Sequence, residues 1–134
     1  MEEEEFRHEV AQNGEKNLWR SIWGLRVPNK VKNFLWRVCR DAIPTKSNMK
    51  RRHMPIDPLC EWCWKEEETT LHALWSCSEL SSVWSLSQWS SQHISGVTNF
   101  KELLSWILNN QSNPELFGMI TWGIWNQRNQ VRNH

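Results

Sequence analysis

The chain has 134 residues, a formal net charge of +1 and a hydrophobic fraction of 39%, which is one domain's worth of core and argues against two compact domains. Its N-terminus is acidic and lacks the apolar stretch of a signal peptide, and its longest nearly apolar run, Leu116 to Trp125, is about half of a bilayer span. Eleven tryptophans stand beside four phenylalanines and no tyrosine, so indole must build either a core or a contact face.

Residues 2–5 are four consecutive glutamates, and 1–16 reads as a disordered acidic lead-in, with order expected from Asn17 or Leu18. In contrast, Lys16 to Arg52 holds eleven Lys or Arg residues against a single acid, Asp41. That is a local charge of about +10, the density of a polyanion-binding surface. Leu18, Trp19, Ile22, Trp23 and Leu25 suit one face of a short helix that Gly24 ends. Pro28 then opens a helix from Asn29 to about Asp41, in which Val31, Phe34, Leu35 and Val38 form an apolar stripe opposite Lys30, Asn33, Arg37 and Arg40. Cys39 lies outside any metal spacing and reads as a small buried hydrophobe. Pro44 stops this helix, and Thr45 caps a segment through Arg52 that adds Lys46, Lys50, Arg51 and Arg52. His53 reads as a surface histidine.

After a stiff connector, Met54 to Pro58, comes Cys60-Glu61-Trp62-Cys63, followed by His72 and Cys77. Two thiols two residues apart close a tight knuckle around one tetrahedral ion, and a later His-x4-Cys pair completes four sites. A redox pair would sit beside a βαβ pattern, which is missing. A disulfide framework would leave an odd cysteine and need a secreted context. A catalytic zinc would keep one position open for water, whereas four ligands at this spacing suggest a closed, structural Zn2+ site; the alternative is a set of buried cysteines that bind no metal. The deaminase pattern, with its H-x-E and P-C-x-x-C, does not occur. Trp62 or Trp64 is expected to pack on the metal loop. Thr70 caps a helical turn bearing His72, and the chain must bend or tighten between His72 and Cys77, which would not share a straight helix face. Ser78 to Trp89 reads as an amphipathic helix with Leu80, Val83, Trp84 and Leu86 inward, and Ser90 to Thr98 as a loop. Phe100, Leu103, Leu104 and Ile107 define the next helix, capped by Thr98 or Asn99, and Pro114 opens the last, which ends at His134 without a stop signal. The fold class is therefore mainly α, a small helical domain organised around a Cys3His zinc knuckle.

The order Trp19, Ile22, Trp23, Leu25, Val27-Pro28, Lys30-Val31-Lys32, Phe34-Leu35-Trp36-Arg37, then Ala42-Ile43-Pro44-Thr45-Lys46, then the metal ligands and Ile124-Trp125-Asn126-x-Arg128-Asn129, resembles the zinc-binding domain near the C-terminus of plant LINE-type (non-LTR) retroelement reverse transcriptases. The resemblance covers roughly residues 17–132. It implies a zinc-binding domain over 17–89, a helical extension over 90–134 that precedes a ribonuclease H domain, and metal ligands Cys60, Cys63, His72 and Cys77. It further implies a non-catalytic module, since polymerase and nuclease carboxylates have no counterpart here. The module would hold RNA or single-stranded DNA within a retroelement polyprotein, inside the cell and in the nucleus. Lys30, Lys32, Arg37, Arg40, Lys46, Lys50, Arg51 and Arg52 are the expected phosphate contacts. The competing reading is a protein-interaction or scaffolding module, with the basic face docked on an acidic partner.

Overall fold

The apolar periodicity read from the sequence becomes helix almost everywhere it was expected. The structure is a computed structural model that describes residues 14–89, 96–110 and 113–132. Its helices are α1 (residues 14–23), α2 (Asn29–Cys39), α3 (Lys46–Arg51), α4 (Ser81–Ser85), α5 (Phe100–Asn110) and α6 (Pro114–Arg132). The described part of α1 already covers residues 14–16, ahead of the expected onset at Asn17 or Leu18; residues 1–13 of the acidic lead-in, residues 90–95 of the serine-rich loop and residues 111–112 lie outside the described residues. No strand is present among the described residues.

Helix α2 buries the predicted stripe of Val31, Phe34, Leu35 and Val38. It stops at Arg40 because Asp41 takes a left-handed conformation, φ 53°. The Ala42 N–H then donates to Arg37 O and the Asp41 N–H to Val38 O, both at 2.9 Å, the paired closure that satisfies the last carbonyls of a helix. Helix α3 begins at Thr45, whose side chain accepts from the Asn48 N–H. It ends in the same closure, with His53 left-handed (φ 67°), His53 N–H on Lys50 O and Met54 N–H on Met49 O.

The segment predicted as one helix from Ser78 to Trp89 is instead a 3-10 turn, Ser78–Leu80, followed by the short α4. Leu80, Trp84 and Trp89 are buried, whereas Val83 is partly exposed and Leu86 is 90% exposed. The helix breaks at that point because the Ser87 hydroxyl and N–H both take Trp84 O, at 2.7 and 3.2 Å, which removes the carbonyl a further turn would need. Helix α5 carries reciprocal caps: the Glu102 N–H donates to Asn99 Oδ1, and the Glu102 carboxylate accepts from the Thr98 N–H and hydroxyl.

Helix α6 crosses α2 at Gly118, where an added Cβ would stand 3.0 Å from Leu35 Cδ1. That close approach lets α6 reach both α2 and the metal loop. An aromatic cluster fills the space beside it: Trp75, Trp84 and Trp89 surround Phe117, with ring centroids 5.4–6.3 Å from it. Four tryptophans (Trp75, Trp84, Trp89 and Trp125) are thus core.

Candidate metal centre

The first two thiols sit at the turn of a narrow hairpin. Leu59 and Glu67 pair antiparallel, the Cys60 N–H donates to Glu66 O, and the Glu68 N–H donates to Pro58 O, both at 2.8 Å. Between these arms the chain folds back through Trp64, left-handed at φ 58°, whose N–H bonds Cys60 O at 2.9 Å. Cys60 and Cys63 are thereby turned to one side of the loop.

His72 and Cys77 arrive on a π-helical turn, His72–Ser76, closed by the Cys77 N–H on His72 O at 3.0 Å. An α-helical bond joins residues four apart, and the π bond joins five. The conflict between His-x4-Cys spacing and a straight helix is therefore resolved by widening the turn, where tightening or bending was expected.

Cys60, Cys63, His72 and Cys77 offer ligand atoms that all lie within 4.8 Å of one another. Cys60 Sγ is 3.9 Å from Cys77 Sγ, and Cys63 Sγ is 3.4 Å from His72 Nε2. A zinc tetrahedron with Zn–S near 2.3 Å and Zn–N near 2.0 Å has S···S and S···N edges of roughly 3.8 and 3.5 Å. A disulfide would need its sulfurs at about 2.05 Å, and all four cysteines are free. Three soft thiols and one imidazole gathered within 4.8 Å, with two of their separations at tetrahedral edge lengths, fit Zn2+.

The surroundings complete the site. Arg128 of α6, 2% exposed, donates from Nη1 to Cys60 Sγ at 3.4 Å and to Glu68 Oε2 at 3.2 Å, and from Nε to Ala73 O at 2.8 Å. Its guanidinium lies 4.0 Å from the centre of the Trp62 ring. Burial pushes the Cys60 thiol up, yet donation from Arg128, from the Cys63 and Trp62 N–H groups and from His72 more than offsets it, and the net shift is down. For Cys77 burial dominates and the thiol is pushed up. The Glu66 carboxylate stands 3.3 Å from His72 Nδ1 without hydrogen-bond geometry, beside the ring nitrogen at which a carboxylate supports a metal-binding imidazole. Glu68 in turn takes the Lys46 N–H on Oε1 at 2.9 Å, tying the start of α3 to the centre.

The family described as zinc-binding in reverse transcriptase matches residues 4–84, more than half of the chain. The chain belongs to this family. A protein of Arabidopsis thaliana, named provisionally as a ribonuclease H protein, is similar at 27% identity over 129 residues, 90% of this chain. The chain spans 20% of that relative's length. No solved structure matches the chain. The reverse-transcriptase zinc-binding domain is a metal-binding module, and its cofactor here is Zn2+. No described helix is long and apolar enough to cross a membrane.

The predicted basic residues are distributed unevenly. Lys30, Arg37, Arg40, Lys50, Arg51 and Arg52 are exposed. Arg51 pairs with Asp41 at 3.3 Å. Lys32 donates to Trp23 O at 2.9 Å. Lys46 is 6% exposed, with its ammonium on Glu61 at 2.7 Å and Leu59 O at 3.1 Å, so its charge braces the knuckle. Cys39, expected as a buried hydrophobe, is half-buried, and burial pushes its thiol up to about 12. Arg128 and Glu68 escaped sequence reasoning. The only signal for Arg128 was the Trp125-Asn126-x-Arg128-Asn129 string, and Glu68 was hidden as the last of three glutamates.

Proposed function

We propose that Cys60, Cys63, His72 and Cys77 hold one structural Zn2+, and that the domain it closes is a non-catalytic module holding RNA or single-stranded DNA. The observation that carries this reading is the run of exposed cations along α2 and α3, Lys30, Arg37, Arg40, Lys50, Arg51 and Arg52, in a chain whose net charge is only +1. Zinc supplies folding free energy on the order of 10 kcal/mol and no chemistry. The acids nearest the metal serve the scaffold, since Glu68 is bonded to Arg128 and to the start of α3. An intracellular, nuclear setting and neighbouring domains of a retroelement polyprotein belong to the same reading.

The test is a salt titration of binding to labelled RNA and single-stranded DNA, using protein with its zinc content measured. About four phosphate contacts would give a log–log slope near −3 on a single strand. Arg37→Gln combined with Lys50→Gln and Arg52→Gln should weaken binding uniformly across sequences and flatten that slope. One zinc per chain with no salt-dependent binding would leave a docking or scaffolding module, and no zinc would remove the reading altogether.

A further inference from the structure

Trp19 is 41% exposed, although Leu18 and Ile22 beside it on α1 are core. Its ring meets Trp36 of α2 nearly edge-on, centroids 4.6 Å apart, and Trp23 at 5.0 Å. Trp19 and Trp36 line an open cavity of about 640 Å3 with Glu15, Lys16 and Arg20, a volume within the range of about 300–1,000 Å3 usual for small-ligand sites. A single exposed indole needs no explanation; the company it keeps does. The Arg40 guanidinium lies over the Trp36 ring at 5.7 Å, and the Lys32 ammonium over Trp23 at 5.7 Å. Glu15, the acid in the cavity wall, is 3.7 Å from Lys101, which leaves the rim cationic.

Aromatic faces interleaved with cations suit a ligand that is flat, apolar on its faces and anionic along its edge. A base in a duplex hides its faces in the stack, and an unpaired base presents them. We infer that the Trp19–Trp36 cavity takes an unpaired base of a single-stranded nucleic acid, stacked on indole, while Lys16, Arg20 and Arg40 meet the flanking phosphates. The inference rests on the nucleic-acid reading above and deepens it. It makes α1 part of the binding surface, continuous with α2 through Arg40, and it assigns the module to single strands in preference to duplex.

The experiment uses the zinc-loaded full chain and four labelled probes of equal length: oligouridine, oligothymidine, a duplex and an abasic deoxyribose-phosphate oligomer. Trp19→Ala should weaken binding of the two homopolymers by at least about fivefold, leave the abasic probe unchanged and leave the salt slope unchanged. Trp19→Phe should keep most of the homopolymer affinity. Lys16→Gln with Arg20→Gln should weaken all single-stranded probes alike and lower the salt slope. The two homopolymers separate RNA from DNA as the preferred strand. Homopolymer binding unaffected by Trp19→Ala, with wild-type binding intact, overturns the stacking site and leaves the basic-face reading standing. Loss of homopolymer and abasic probe in equal measure, with Trp19→Ala melting as the wild type does, overturns it too, because a contact that stacks on bases cannot weaken a probe that carries none. Failure of the wild type to bind any probe overturns both readings together.

Discussion

A guanidinium buried between a thiol and a carboxylate balances two groups at once, and Arg128 does so from a helix that the metal-ligand spacing never mentions. Removing its charge in Arg128→Met leaves Glu68 buried without its cation, which should cost about 3–5 kcal/mol in denaturant melts. Zinc affinity, read by chelator competition, should fall roughly 10- to 100-fold. Arg128→Lys keeps the charge but loses the planar fork that reaches Ala73 O, Cys60 and Glu68 together, so it should recover the loss only in part. Asp41 is a second hidden residue. Burial pushes its carboxyl up, but bonds from Thr70 (2.6 Å), Asn48 (3.0 Å) and Arg51 (3.3 Å) more than offset this and hold it below the usual range. A lowered folded value means stability present above the unfolded value near 3.9 and lost as pH falls through the folded one. Wild type should therefore melt above Asp41→Asn at pH 6, and the gap should close below about pH 4. In the sequence Asp41 was visible only as the lone acid among eleven cations. Its role depends on a left-handed backbone that glycine usually marks, and on Thr70, 29 residues away.

Periodicity located the long helices because burial alone dictates them: the α2 stripe and the Phe100, Leu103, Leu104 and Ile107 stripe of α5 are buried as their spacing required. Short elements were less legible. Leu86 satisfies the apolar period of its neighbours, yet side-chain bonding at Ser87 ends the helix before it can turn inward. The π turn illustrates the same limit. Its extra residue was detectable as a conflict between His72 and Cys77, but the resolution depends on a backbone bond that no residue type announces. Gly118 offers a test of helix packing. Gly118→Ala gains about 1 kcal/mol of helix propensity against a contact with Leu35, which is fully buried and hemmed in, so the two effects should nearly cancel in thermal melts. Gly118→Val adds branched methyls to the same gap and forgoes most of the propensity gain, and should cost about 1–3 kcal/mol.

At the level of the whole chain, the Cys60, Cys63, His72 and Cys77 cluster was legible because its spacing is local, all within residues 60–77, whereas the frame around it was not. Residues 17–89 and the expected extension share one core, with Phe117 of α6 among Trp75, Trp84 and Trp89. Zinc removal should therefore be felt well beyond the knuckle. Chelation, or Cys60→Ser with Cys63→Ser, should lower far-UV helicity through α6 and shift tryptophan emission to the red in one cooperative step; an unchanged melt would refute a structural role for the ion. The contact between Arg128 and Cys60 spans 68 residues, and this sets an order of events during translation. All four ligands leave the ribosome before residue 128 is made, so a nascent chain can capture its ion early and must carry that centre half-clothed until α6 emerges to cover it.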